Sequence, residues 1–306
     1  MQHTRLNMEY GKFYDLHVHC GPEGIERKYD FLQLDSLSAA TDTVEIVAKS
    51  HFFSTVPWAY TARRHGNAKI NGSIVLNHYQ GGINPYAVAA SAAVRCDGHQ
   101  CLKLVWMPTL HAKGHIEMQK VHGQTKDIPA EWTDGVLSPA SFDLDLIEPI
   151  YLLENETKKK LDSVLDIIAE HNLILATGHV TREEVYYLVE RAVIRGVKKI
   201  VLTHPLYDAT ALDCDDIKHL TALPGVYAEQ CYGLVLIDNI PIEKITNQIS
   251  AAGVEKTILT TDLGQKHSPD PHTGMEAYCR ALYEAGVSKE DLHTMIYENP
   301  KLLLSE

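Results

Sequence analysis

The chain has 306 residues, 45% hydrophobic and 22% charged, which is ample for a large packed core and excludes an intrinsically disordered composition. Its 40 acidic against 28 basic side chains give a net charge of −12 with histidines neutral. That balance argues against nucleic-acid or anionic-membrane partners, both of which need a basic patch. No apolar run reaches the roughly 18–20 residues of a membrane span, and the polar start MQHTRLNMEYGK is not a signal peptide. The six cysteines form no CxxC pair and read as reduced, mostly buried thiols, so a cytoplasmic protein is expected.

The first element is an apolar run over 13–19 that carries Asp15-Leu16-His17-Val18-His19. Residues i and i+2 of a strand share a face, so His17 and His19 present two imidazoles side by side. Such a pair suits a divalent metal; alone, it equally describes a strand with two partly exposed histidines. Seven further β-branched or apolar runs follow, at 44–51, 72–77, 102–107, 173–179, 199–204, 225–231 and 257–262. Most are continuously hydrophobic, as parallel strands buried on both faces are.

Helical patterns separate the later runs. Leu161, Val164, Leu165 and Ile168 recur at helical spacing, and Thr181 with Glu184 forms a capping box ahead of Val185, Leu188, Val189, Ala192 and Val193. Pro241 occupies a first-turn position before Ile242, Ile245 and Ile249, with Gly253 as the stop. A helix is predicted over 275–285, and Ser288 with Asp291 caps the last one. The 109–152 segment lacks periodicity and reads as a long functional loop on the active-site face. Strands alternating with helices predict an α/β fold, a (β/α)8 TIM barrel forming a single domain over 1–306. A doubly wound sheet is the alternative, weakened because no Gly-x-Gly-x-x-Gly follows the first strand.

Barrel enzymes gather their chemistry at the C-terminal ends of strands. His179 ends the fifth run, His204 the sixth and Asp262 the eighth. With His17 and His19 they make a set of metal-type side chains at matching ends, which predicts a metal centre. Asp15 and the hydroxyls of Thr177 and Thr203 are candidates to orient the imidazoles. Asn77, after the third strand, offers a polar group to substrate or belongs to a plain turn. His111 and His115, after the fourth, either line the pocket or lie on the surface. Glu229, on the seventh, is a pocket acid or part of an ion pair.

Here the chain resembles the amidohydrolase superfamily of metal-dependent barrels, from Asp15 to the closing Asn299-Pro300-Lys301-Leu302-Leu303. The phrases around His179 and His204 are also similar to uncharacterised, DUF-type members of that superfamily. The resemblance implies that His17 and His19 ligate the more buried metal, that His179 and His204 add nitrogen ligands, and that Asp262 binds metal and takes a proton from the nucleophilic water. It also marks a departure. Many relatives carry a carboxylated Lys or a Glu at the end of strand four, where this chain reads Trp106-Met107-Pro108-Thr109, with Lys103 at the wrong end. Lys49, sharing its strand face with His51, is the substitute: a carbamate bridge, a substrate-contacting ammonium or a buried ion pair. His51 is a further substrate-contacting candidate.

The expected function is metal-dependent hydrolysis of a small molecule at an amide, lactone or related C–N or C–O bond. One or two divalent ions are expected per chain, zinc first, with manganese or iron admitted. The alternatives are a metal-dependent decarboxylase on the same barrel and a non-catalytic metal-binding barrel. A homo-oligomer is compatible with the sequence, which does not fix the oligomeric state.

Overall fold

Strands that are apolar throughout must be covered on both faces, and this chain covers them by closing the sheet on itself inside a ring of helices. The computed structural model describes residues 9–122 and 147–305. The barrel strands are β1 (Phe13–His19), β2 (Thr43–Lys49), β3 (Ile70–Val75), β4 (Leu102–Trp106), β5 (Ile174–Ala176), β6 (Ile200–Leu202), β7 (Val226–Cys231) and β8 (Thr257–Thr260). They neighbour one another in that order and every pairing is parallel. The chain just past β8 closes the ring: Asp262 N donates to His17 O (2.9 Å), His19 N donates to Leu263 O (2.7 Å), and Val18 bridges Leu263 in parallel. The fold is thus the (β/α)8 barrel expected from the sequence.

Several strands end earlier than their apolar runs. β5 and β6 stop at Ala176 and Leu202, because threonine hydroxyls take over the pairing at the mouth: Gly178 N donates to Thr203 Oγ1 (3.0 Å) and Thr203 N to Thr177 Oγ1 (2.9 Å). His179 and His204 therefore sit on loops rather than in strands, as do His51, Asn77 and Asp262.

The helices follow the sequence signals closely. Asn155–Glu170 buries Leu161, Val164, Leu165 and Ile168. Both halves of the Thr181–Glu184 capping box form, and Glu184 Oε1 also accepts from Leu152 N (2.7 Å). Pro241 is the cap of Ile242–Ala252 rather than its first residue, with an extended ψ of 140°. The next helix starts at Pro271, not Met275, because Asp270 accepts from Thr273 N and starts it a turn early. Ser288 caps Lys289–His293 as predicted, but that helix is not the last: a π turn leads on into Asn299–Leu304. Asn299 Nδ2 donates to the carbonyls of Val254 (2.8 Å) and Thr257 (2.7 Å), tying the final helix to the foot of β8.

The 109–152 segment is not a plain loop. It contains the helix Lys113–His122, and its base is closed by a parallel bridge between Ala112 and Ile150. The part of that expectation falling on 123–146 lies outside the described residues. No described helix is long and apolar enough to cross a membrane.

All six cysteines are free, and only Cys214 is exposed. Burial pushes the Cys279 thiol up to about 12, and thiols so placed do not form the reactive thiolate. A thiol reagent is expected to label Cys214 alone in the native protein, and all six only after denaturation. Native labelling that survives Cys214→Ser would contradict this arrangement.

Candidate metal centre

A strand shows alternate residues to one side, yet Leu16 and His17, adjacent in sequence, both meet Trp106 of β4. Leu16 packs in one cluster with Trp106, Val47 and Val75, and the His17 ring lies 4.5 Å from that of Trp106. The register slips between Asp15 and Val18, where three steps of β1 face two of β2. This bulge re-aims the strand end, so that His17 and His19 look into the mouth with their rings 5.5 Å apart. Asp15 turns instead to the β8 end, accepting from Thr261 Oγ1 (2.6 Å) and N (3.1 Å), and from its neighbour His17 N (3.2 Å). Burial pushes its carboxyl up to about 7, against those bonds. Asp15 thus fastens β8 to β1 and does not touch the imidazoles. Thr177 and Thr203 likewise bond backbone, not histidine rings.

At the seam, Asp262 Oδ1 lies 2.9 Å from His17 Nε2 and 3.0 Å from His19 Nε2. Asp262 holds φ at +53° and His204 at +24°, a backbone region that L side chains reach only under constraint. Glu229, fully buried, accepts from His17 Nδ1 (3.2 Å), from Thr260 Oγ1 (3.0 Å) and from His204 N (3.2 Å). It is a positioning carboxylate. Burial opposes its ionisation, but the His17 charge beside it holds it below the usual range. Cys231 Sγ stands 3.8 Å from the same Nδ1, and burial holds that thiol well above its ordinary value, so it stays neutral there.

With its proton on Nδ1 toward Glu229, His17 offers a lone pair at Nε2, which accepts from Lys49 Nζ (2.8 Å). His17 Nε2 and Asp262 Oδ1 are then two acceptors at hydrogen-bond distance, an arrangement that needs a cation between them. The Lys49 ammonium is one cation already at Nε2; the extra proton of an imidazolium, which the neighbouring Asp262 favours, or a metal ion would reconcile Nε2 with Asp262. Burial raises the Asp262 carboxyl, but His17 and His19 overcome this and hold it well below the usual range. The donor set of two imidazole nitrogens and a carboxylate oxygen, within 4.8 Å of one another, fits zinc, manganese or iron.

The remaining candidates surround this centre. Lys49, 1% exposed, packs its ammonium 4.4 Å over the Trp106 ring, and burial lowers its pKa. The His204 ring is 5.9 Å from His17 and 4.9 Å from His179, and its buried Nδ1 has no hydrogen-bond partner. Burial drives His204 down to about 4 and holds His19, His51 and His179 well below the ordinary range, so these imidazoles are neutral, as metal ligands must be. His19, Lys49, His51, His179, His204 and Asp262 share one cavity. His51 also faces Thr109 Oγ1 (2.8 Å).

Asn77, read from the sequence as a substrate contact or part of a plain turn, has its amide engaged by protein. Its Nδ2 donates to His51 O and Thr109 Oγ1, and its Oδ1 accepts from Thr109 N and His111 N. Every bonding position of the amide is taken by protein, so Asn77 orders the loops after β2 and β4. His111 is buried, its Nδ1 accepting from His78 N (3.1 Å), and it does not line the cavity.

Arg27 and His115 complete the site. Arg27 pairs with Glu23 and donates to His19 Nδ1 (3.1 Å). Because a guanidinium cannot accept, the neutral His19 proton sits on Nε2, and a metal ligated there must displace it. Glu23 in turn accepts from Ser50 Oγ (2.6 Å) and His51 N (2.9 Å), locking the loops after β1 and β2 together. His115, buried on the Lys113–His122 helix, reaches the cavity from outside the barrel.

The closed parallel barrel is the fold of several solved hydrolase structures, amidohydrolases among them. Amidohydrolase 2 from Bifidobacterium longum subsp. infantis is 12% identical, with 98% of each chain covered and a TM-score of 0.53. N-acetyl-D-glucosamine-6-phosphate deacetylase from Mycobacterium smegmatis is 13% identical, covering 95% of this chain and 76% of its own, at a TM-score of 0.55. A probable 2-pyrone-4,6-dicarboxylic acid hydrolase from Acinetobacter baumannii, solved with citric acid bound, is 12% identical, covering 96% and 99%, at a TM-score of 0.55. At such identities these likenesses establish the fold. Residues 12–229 match the family of unknown function DUF6282, and the chain belongs to that family. No curated protein matches the sequence.

Proposed function

We propose that the protein is a metal-dependent hydrolase of a small molecule, opening an amide, lactone or related C–N or C–O bond. The observation that carries this reading is the meeting of His17 Nε2, His19 Nε2 and Asp262 Oδ1 within 3.0 Å contacts in a buried mouth. His17, His19 and Asp262 would hold a divalent ion, with His179 and His204 as further nitrogen donors of a centre that takes one or two ions. Such an ion, when bound, supplies Lewis acidity toward water and toward the oxygen of the bond to be broken.

The chain's own groups divide the remaining work. Asp262, kept ionised, accepts the proton of the attacking water and passes it to the leaving group. Glu229 fixes the His17 tautomer from behind. Arg27 and Lys49 place two cationic side chains on the cavity wall, which favours a substrate bearing a carboxylate or similar anion. Lys49 as a carbamate would instead be an anionic ligand and leave Arg27 as the cation of that wall; 13C-bicarbonate labelling and NMR distinguish the two forms.

The gently purified protein is expected to carry at least one equivalent of zinc, manganese or iron by elemental analysis. Absence of metal, together with no uptake on reconstitution, would refute the reading. A panel of lactones, amides and carboxylated ring compounds, followed by proton release and CO2 release together, identifies the reaction. CO2 release without hydrolysis would move the protein to the decarboxylase class.

A further inference from the structure

The strand ends do not account for His115. It sits on the Lys113–His122 helix, outside the barrel, yet its ring meets that of His179 across the mouth. The two Nδ1 atoms are 3.1 Å apart, and the Tyr207 hydroxyl stands 3.2 Å from the His115 Nδ1. All three side chains are at most 7% exposed and line the same cavity as His19, Lys49 and Asp262.

The backbone is shaped to bring that ring in. A Cβ on Gly114 would lie 2.9 Å from the carbonyl oxygen of Ala209, 3.0 Å from that of His179 and 3.2 Å from Thr181 N. Only a residue without a side chain lets the first helical turn seat this closely against the loops after β5 and β6. The next residue is His115. From the other side, Lys113 N donates to Ile150 O (3.0 Å) and Ile150 N to His111 O (2.7 Å), so the turn is held at both edges.

Two imidazole nitrogens facing each other at this distance either share a proton or point both lone pairs at one cation. Nitrogen ligands about 2.0–2.1 Å from a tetrahedral ion stand roughly 3.3 Å apart, so the observed spacing needs an adjustment of only a few tenths of an ångström. The end of β4 contributes no ligand at this sector, and Thr109 Oγ1 there is engaged with His51 and Asn77. His204, whose ring lies 4.9 Å from that of His179, is the other imidazole of this sector.

We propose that His115 is a metal ligand, pairing with His179 through Nδ1 to take a second, weaker divalent cation beside the one at His17, His19 and Asp262. This rests on the metal-dependent reading above, and the test separates the two. The metal-stripped full-length protein is titrated with Co2+ and with Zn2+, following stoichiometry, affinity and the visible Co2+ spectrum. The wild type is expected to bind in two separable steps. Asn places an amide oxygen near the position of the His Nδ1, so His115→Asn keeps hydrogen-bonding capacity toward His179 and Tyr207 while removing the imidazole. It is expected to lose the second step and its Co2+ absorption, weakening it at least about a hundredfold, beyond the 10–100-fold typical of losing a ligand's supporting partner. The first step should stay within about twofold. Gly114→Ala, which keeps His115 but pushes the turn away, should weaken the same step, and His17→Ala should remove the first step instead. If His115→Asn keeps both steps unchanged, the pair is an N–H···N hydrogen bond and the proposal fails. If wild type and His115→Asn both bind a single ion, it fails while the hydrolase reading stands. If the wild type binds none, both fall.

Discussion

Asp262→Asn is expected to depress turnover by roughly two to four orders of magnitude, the usual contribution of a positioned general base, while much of the metal stays bound. The reason lies in how the side chain is shared. Oδ1 stands 2.9 Å from His17 Nε2 and 3.0 Å from His19 Nε2, and an amide oxygen can occupy the same place and still face a cation. An amide cannot take a proton from water. His17→Ala or His19→Ala should act in the reverse order, lowering metal occupancy first and activity as a consequence. The measurement is metal content and turnover on the same preparations, with a substrate from the screen. An Asp262→Asn enzyme at full turnover would place the base elsewhere. Glu229 is a poor replacement, because Oε1 serves His17 and Thr260, Oε2 accepts from His204 N, and the side chain does not line the cavity.

The parts of this site that were legible in the sequence are those carried by strands. Buried parallel strands announce themselves as apolar runs, and a histidine or aspartate closing such a run stands out against it, which is how His17, His19, His179, His204 and Asp262 were found. The exact strand ends were not legible, since Thr177 and Thr203 replace ladder bonds with side-chain bonds that only neighbouring strands reveal. Nor was the bulge in β1, which sends Asp15 to Thr261 and the His17 backbone instead of to the His17 imidazole. Arg27 and Tyr207 reach the cavity from loops, so no periodicity marks them; His115, on an outer helix, was legible only as a histidine that either lines the pocket or lies on the surface, with Gly114 before it as the local trace. Asn77 shows the opposite failure. An amide beside glycines reads equally as a substrate contact or a plain turn, and only the fold shows that its four hydrogen bonds are already used.

Gly264→Ala should damage stability and the metal centre together. Gly264 has φ +126°, and a Cβ built there would lie 1.9 Å from the His19 carbonyl oxygen and 2.7 Å from its carbonyl carbon. These are backbone atoms, so no rotamer change relieves the overlap. The seam must open, and it is the seam that closes the barrel: His19 N bonds Leu263 O, and Lys28 N bonds Gly264 O (2.9 Å). Overpacking at a rigid site costs about 1–3 kcal/mol, and an alanine forced to a positive φ adds roughly 1–2 kcal/mol, so a loss of about 2–5 kcal/mol is expected. Gly286→Ala provides the control, because its φ is +100° but nothing lies within 4 Å of the added carbon. It should show the conformational cost without the overlap. Urea unfolding of the two metal-free variants beside the wild type measures the difference, and metal titration of the folded fraction measures the second effect. Opening the seam separates His19 from Asp262, so Gly264→Ala should also bind its first metal more weakly, whereas Gly286→Ala should match the wild type. Equal stability of the two variants would mean that the β1–β8 closure yields more easily than its hydrogen bonds imply.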